Sequence, residues 1–160
     1  MTPASSTTAR LSQLLTPDRI FLDIPVHTRE EVLVYVAERL EQAGAMRKSQ
    51  DLVDLLLDRE RLGATVVGDE TAIPHCKVPG LKEIVVAFAR LPEPIPFGLG
   101  EESARLVFFV FSPGEQPAAH LQVLSSIAGL LRSPQARTIF LEARGGGELA
   151  ARLAEYELTT

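Results

Sequence analysis

The chain has three histidines, His27, His75 and His120, the residue type whose ordinary pKa is nearest neutrality, and nucleophilic or acid–base chemistry starts from them. His75 closes the run Gly63 to Cys76, G-A-T-V-V-G-D-E-T-A-I-P-H-C, which reads as a short extended piece, a turn, a second extended piece, then Pro74 and His75. Pro74 has a fixed φ and pushes Ile73 out of the helical region. Ala72 and Ile73 are therefore expected to be extended, leaving His75 just past the end of a buried strand on backbone that cannot easily move. A reacting imidazole gains from such fixed geometry. A strand-end histidine can equally do no more than bond a nearby carbonyl, and the residues alone leave both readings open.

His120 falls in the first turn of an apolar helical pattern, His120-Leu121-Gln122-Val123-Leu124, behind Ala118 and Ala119. A histidine there caps or packs as readily as it reacts. His27 precedes a helix start in a Pro25-Val26 loop and reads as solvated surface. Arg59 falls in the last turn of a helix ended by Gly63, one helix terminus from the histidine loop; the helix dipole favours a cation there in any case. Cys76 is the single cysteine and reads as a small packing residue, with a redox gate on His75 as the alternative. No metal is expected: neighbouring His75 and Cys76 cannot easily both reach one ion shared with His120, and structural zinc takes four protein ligands.

The elements that must position these residues follow from periodicity and caps. Residues 1–10 are expected to be a disordered tail and 11–157 a single domain. Leu11 to Leu15 reads as a short helix and Ile20 to Ile24 as a strand. Thr28-Arg29-Glu30-Glu31 is a capping box for a helix running to Ala43, stopped by Gly44. Ser49 is expected to cap a second helix over Gln50 to Arg61. Leu81 to Arg90 and Arg105 to Ser112 read as central strands. Leu91 to Gly98 holds three prolines and is not expected in a ladder. Pro117 opens a helix to Leu131 and Ser133-Pro134 another to Ala143. Gly145-Gly146-Gly147 reads as a flexible break before a last helix, Glu148 to Glu157. The expected fold is α/β, a mixed central sheet with helices packed on both faces.

Composition narrows the function classes. The chain has 160 residues, enough for one domain with a proper core. A formal net charge of −5 argues against nucleic acid as the main partner. No apolar run reaches the ~18 residues of a membrane span, so no membrane insertion is expected. Met1 to Arg10 has no apolar segment of a secretory signal, and one cysteine fits a reducing cytoplasm.

Beyond these readings, Arg59-Glu60-Arg61-Leu62-Gly63-Ala64-Thr65 followed by Ala72-Ile73-Pro74-His75, with His120-Leu121-Gln122-Val123-Leu124 downstream, resembles the signature of the type-2 enzymes IIA. These belong to the bacterial phosphoenolpyruvate-dependent phosphotransferase system, in its fructose/mannitol and nitrogen-regulatory branch. The resemblance covers about residues 11–157 and implies the same α/β fold. It implies a phosphotransferase component in which His75 accepts a phosphoryl group at Nε2, with Nδ1 fixed by a backbone carbonyl. His120 and Arg59 would then stabilise the phosphoryl group, Thr65 would add a hydroxyl, and backbone N–H groups of the Gly68 turn would add further donors.

By the same resemblance the donor is an HPr-type phosphocarrier charged through enzyme I, and no cofactor is needed beyond phosphoenolpyruvate's phosphoryl group. The chain ends soon after its last helix without an enzyme IIB segment, which favours a regulatory, nitrogen-type role with a kinase or transport protein as target. A sugar-specific enzyme IIA passing phosphate to an enzyme IIB is the alternative. This chain departs from the family loop in having Val66, Asp69, Glu70 and Cys76 where small residues are usual. Asp69 and Glu70 read as a solvated turn; pointed inward they would oppose a phosphate, and a silenced, non-phosphorylated binding module is the further alternative. The faces around His75 and the Pro92 to Gly98 segment are the expected docking surface.

Overall fold

The computed structural model describes residues 10–46, 48–98 and 100–159. Six strands, β1 (Ile20–Leu22), β2 (Val66–Gly68), β3 (Thr71–Ala72), β4 (His75–Lys77), β5 (Val85–Pro96) and β6 (Ser103–Ser112), form one mixed sheet. Its order is β1-β5-β6-β3-β2, and β4 also pairs with β6. β5 and β6 are antiparallel, whereas β3 and β4 both run parallel to β6. The helices are α1 (Leu11–Leu14), α2 (Arg29–Gln42), α3 (Ser49–Glu60), α4 (Pro117–Leu131), α5 (Pro134–Glu142) and α6 (Gly146–Leu158).

β6 is apolar on both sides because both sides are covered. Val107, Phe109 and Phe111 face one core with Ala87 and Ala89 of β5, closed by Val32, Leu33, Val36 and Leu40 of α2 and by Leu52 and Leu56 of α3. Leu106, Phe108 and Val110 face the other core, closed by α1, α4, α5 and α6. There Phe88, Phe108 and Phe140 meet with ring centroids 4.7 to 5.0 Å apart. The expected layering, helices on both faces of a mixed sheet, is what the chain forms.

Several boundaries differ from expectation. Leu91 to Pro96 does belong to β5: the register shifts between Arg90 and Ile95, so Pro92, Glu93 and Pro94 are exposed, and pairing resumes at Ile95 opposite Ala104. Proline is tolerated where a bulge leaves its missing donor unneeded. Ser49 is the first residue of α3 rather than its cap; Lys48 holds the cap position, and the Glu41 carboxylate of α2 accepts from the Ser49 amide at 2.9 Å. The capping box at Thr28 and Glu31 is present. The triple glycine is no flexible break, since α6 starts at Gly146. A Cβ on Gly146 would lie 3.2 Å from the Pro17 carbonyl oxygen, so the helix start packs closely on the Pro17–Arg19 turn and a side chain there would require a small shift. Of the expected tail, residues 1–10, residues 1–9 lie outside the described residues, and Arg10 donates from Nη1 to the Glu157 carbonyl at 2.9 Å.

One polar cluster ties the layers together. Arg90, almost fully buried on β5, donates from Nε and Nη2 to the two Asp23 carboxylate oxygens at 3.1 and 2.9 Å. Its Nη1 donates to the Phe140 and Leu141 carbonyls at the end of α5, both at 3.1 Å. Asp23, with a left-handed φ of 53°, ends β1 early, and the Arg90 hydrogen bonds hold its carboxyl below the ordinary carboxylate range. Arg90→Ala removes donors from two carbonyls and one carboxylate. It is expected to cost about 2–3 kcal/mol in urea unfolding, less than the ~3–5 for a fully buried pair because Asp23 is half exposed. Asp23→Asn keeps an acceptor and is expected to cost under ~1 kcal/mol.

Candidate functional site

The site begins with an interruption in the pairing along β6. Thr71 and Ala72 pair with Leu106 and Val107, the chain then steps out at Ile73 and Pro74, and His75 to Lys77 pair with Val110 to Ser112. His75 is thus past the end of β3, as expected, and also the first residue of β4. The Ile73 amide donates to the Thr65 carbonyl at 2.9 Å, and the Val110 amide donates to the Pro74 carbonyl at 3.0 Å. The Ile73 carbonyl oxygen meets His75 Nδ1 at 2.7 Å. A carbonyl only accepts, so Nδ1 carries the proton and the neutral ring keeps its lone pair on Nε2.

His120 reaches the same place from the first turn of α4. Its ring centroid is 5.4 Å from that of His75, and its Nδ1 is hydrogen-bonded to Ser112 Oγ on β6. Both rings line a cavity of about 380 Å³ with Arg59, Lys77, Asp58, Leu55, Leu62 and Cys76. Arg59 is pinned there by its own helix end: Nη1 donates to the Gly63 carbonyl at 3.0 Å. The helix-terminus reading of Arg59 and the site reading are therefore compatible. Burial is the main reason that both imidazoles titrate below their ordinary value; for His75 the Arg59 charge adds to it against the Ile73 hydrogen bond, and for His120 the His75, Lys77 and Arg59 charges add to it.

The other expected site residues are held elsewhere. Thr65 is buried, and its hydroxyl donates to Glu60 Oε2 at 2.7 Å instead of facing the cavity. The Gly68 turn pairs near Leu106, four residues down β6 from Val110, roughly 13 Å at ~3.3 Å per residue. Its amides are too far to cradle a group on His75. Gly68 and Asp69 line a separate cavity with Arg137, which donates to the Asp69 carbonyl and the Thr71 hydroxyl. Asp69 and Glu70 are exposed, at φ of 51° and 57°, so the solvated-turn reading describes them. The Pro92 to Gly98 segment lies beside Ser103 and Ala104, at the other end of β6 from His75, and does not border the histidine cavity. His27 is solvated, with 85 % of its side chain exposed. Cys76 is buried among the α2 and α3 residues, and burial pushes its thiol up to about 12, which leaves no reactive thiolate for a redox gate. No group of three or more metal-ligating side chains comes together among the described residues.

Sequence reasoning gave no part to Glu60 and Ser112. Glu60 follows Arg59 in the motif but turns inward; Oε1 has no hydrogen-bond partner among the described residues and lies 3.9 Å from Arg29 Nη1. From it a chain of contacts leads to the site: Thr65 hydroxyl to Glu60, Ile73 amide to Thr65 carbonyl, His75 ring to Ile73 carbonyl. A Glu five residues before a Thr across a helix end is the signal that could have suggested this pair.

Two measurements check this geometry. Thr65→Val leaves the buried Glu60 carboxylate without its hydroxyl donor and is expected to cost about 1–3 kcal/mol in chemical denaturation, with Thr65→Ser close to wild type. In NMR titrations His75 and His120 are expected to protonate below 6.5. As pH falls below that value the unfolded chain takes up protons that the folded rings refuse, so stability drops from there toward the folded midpoints. A midpoint at or above 6.5 for either ring contradicts this account.

With the geometry established, comparisons with known proteins supply the family. Residues 13–156 match the profile of the phosphoenolpyruvate-dependent sugar phosphotransferase system, EIIA 2. A nitrogen regulatory protein of Bradyrhizobium diazoefficiens is 35% identical over 123 residues, 76% of this chain and 80% of that protein. The fructose-specific EIIA component of Haloferax volcanii is 32% identical over 143 residues, 88% of this chain and 93% of that protein. Among solved structures, the nitrogen regulatory protein IIA-Ntr of Neisseria meningitidis superposes with a TM-score of 0.80 at 28% identity, covering 89% of this chain and 98% of that one. Enzyme IIA mannitol of Escherichia coli, in complex with phosphorylated enzyme IIB mannitol, gives 0.71 at 26% identity, covering 88% and 97%. The chain belongs to the type-2 enzyme IIA family of the phosphoenolpyruvate-dependent sugar phosphotransferase system.

Proposed function

We propose that this protein is a phosphoryl carrier in which His75 Nε2 accepts the phosphoryl group of an HPr-type phosphohistidine carrier. The observation that carries the reading is the Ile73 carbonyl on Nδ1, which leaves the lone pair of a neutral ring on Nε2 in the cavity. That lone pair forms the new N–P bond while the donor's N–P bond breaks and its electron pair returns to the donor imidazole. Phosphoryl transfer asks for positioning and for donors to the peripheral oxygens. His120, Arg59 and Lys77 line the same cavity and fill that role. Thr65 and the Gly68 turn have no direct part: Thr65 supports the loop through Glu60, and the turn lies too far down β6.

Leu62 on the cavity rim and Leu121 beside His120 are 83% and 64% exposed, an apolar border suited to a transient carrier contact. The identities to nitrogen regulatory proteins and the 0.80 TM-score to IIA-Ntr support a regulatory role. Its phosphorylated and unphosphorylated forms would then engage different target proteins, such as a kinase or a transport protein, in the cytoplasm. The long match to a fructose-specific EIIA supports the second reading, in which His75 passes its phosphate to an enzyme IIB. Silencing of His75 by Asp69 and Glu70 is opposed by their exposure on a turn well down β6 from His75.

Incubation with phosphoenolpyruvate, enzyme I and HPr, followed by intact-mass measurement, is expected to give one acid-labile phosphate. His75→Ala should abolish it, and His120→Ala should slow it by roughly 10²-fold, the order seen when one aligned donor is lost. Absence of the adduct with the protein's own partner carriers would overturn the proposal. Chase with an enzyme IIB then separates the regulatory from the sugar-specific role.

A further inference from the structure

Ser112 lies at the end of β6 with no solvent exposure, opposite Lys77 of β4. Its carbonyl takes the Val78 amide at 2.8 Å, and its hydroxyl is hydrogen-bonded to His120 Nδ1 alone among the described residues. A hydroxyl has one proton to place. Fully buried with one hydrogen-bond partner among the described residues, it satisfies that proton by donating to Nδ1; the reverse bond would leave a buried donor without an acceptor, which folded proteins avoid. An Nδ1 that accepts has no proton, so the proton of neutral His120 is on Nε2.

We propose that Ser112 is a positioning residue, its hydroxyl holding His120 in the Nε2-protonated tautomer so that the ring offers an N–H donor to a phosphoryl group on His75. The use assigned to that N–H rests on the phosphoryl-carrier reading; the tautomer itself does not. The two rings, 5.4 Å apart, are then set in opposite senses from the same atom position. His75 Nδ1 faces an acceptor and keeps its Nε2 lone pair for bonding to phosphorus. His120 Nδ1 faces a donor and turns its Nε2 proton outward. Were both rings in the His75 tautomer, two Nε2 lone pairs would face the same phosphoryl group, one of them against its oxygens. In the unphosphorylated protein burial, with the His75, Lys77 and Arg59 charges, disfavours a second proton on His120, so the fixed tautomer gives the neutral ring its donor. A neutral donor binds the phosphoryl group less tightly than an imidazolium, which suits a group that must be passed on.

The test uses the full chain, uniformly labelled with nitrogen-15, at a pH where both rings are neutral. Ring nitrogen shifts, assigned with His120→Ala, distinguish a protonated from an unprotonated Nε2. Wild type is expected to show His120 protonated at Nε2, and Ser112→Ala a mixture of the two tautomers with a preserved amide spectrum. Ser112→Thr, which restores the hydroxyl, is expected to restore the tautomer. The phosphohistidine lifetime is expected to fall about tenfold in Ser112→Ala, equivalent to one neutral hydrogen bond of ~1.4 kcal/mol, and to recover in Ser112→Thr. Wild-type His120 protonated at Nδ1, or a tautomer unchanged in folded Ser112→Ala, overturns the proposal. So does a shifted tautomer with an unchanged lifetime. If wild type shows the expected tautomer but never takes up phosphate, the carrier reading fails, and with it the assigned use of the N–H, while the Ser112 lock on the ring stands.

Discussion

Both imidazoles depend on one strand. β6 is buried on both faces, and its edge carries two short parallel partners, β3 and β4, separated by Ile73 and Pro74. Pro74 has no amide proton, and the chain leaves the ladder there for two residues. The Ile73 carbonyl, released from strand pairing, takes the His75 ring instead. Two residues beyond Val110, the same strand offers the Ser112 hydroxyl to His120. A shift of one residue in the pairing of β4 with β6 would send His75 to the opposite face of the sheet, away from His120.

The electrostatic setting follows from where these groups sit. The rings are partly buried, which disfavours their protonation, and the cations Arg59 and Lys77 share their cavity. The result is a pair of imidazoles that resist protonation beside two cations, with the Asp58 carboxylate on the same cavity wall. Glu60 supplies a buried negative group behind the loop, and its Coulomb effect on His75 opposes that of Arg59. Asp69 and Glu70, which would repel phosphate near His75, are carried away by the β2–β3 turn and fixed there by Arg137 and by the backbone of Arg105 and Leu106.

Much of the architecture was legible because its signals are local. The capping box at Thr28, Pro117 at the start of α4, and the apolar run Arg105 to Ser112 each express a preference settled within a turn or a strand. The misread segments are those settled by distant partners. The prolines of Leu91 to Pro96 were compatible with a strand only because a bulge opposite β6 left their missing donors unneeded. Gly146 begins α6 instead of a loop, packed close to the Pro17 carbonyl of a distant turn that the glycine run itself does not reveal.

For the site, the sequence by itself determined which residues are candidates and one local fact, that Pro74 must hold Ile73 extended and His75 in a fixed place. The fixed spacing of the Arg59 and His75 segments, with a histidine opening a later helix, was enough to name the family. Only the tertiary structure decided which candidates meet. Thr65 and Gly68 are nearer to His75 in sequence than His120 is, yet Thr65 faces Glu60 and Gly68 sits well down β6, whereas His120, forty-five residues on, lies against the His75 ring. The reason is the sheet: strand register converts sequence separation into distance along β6, and no one-dimensional pattern contains that register.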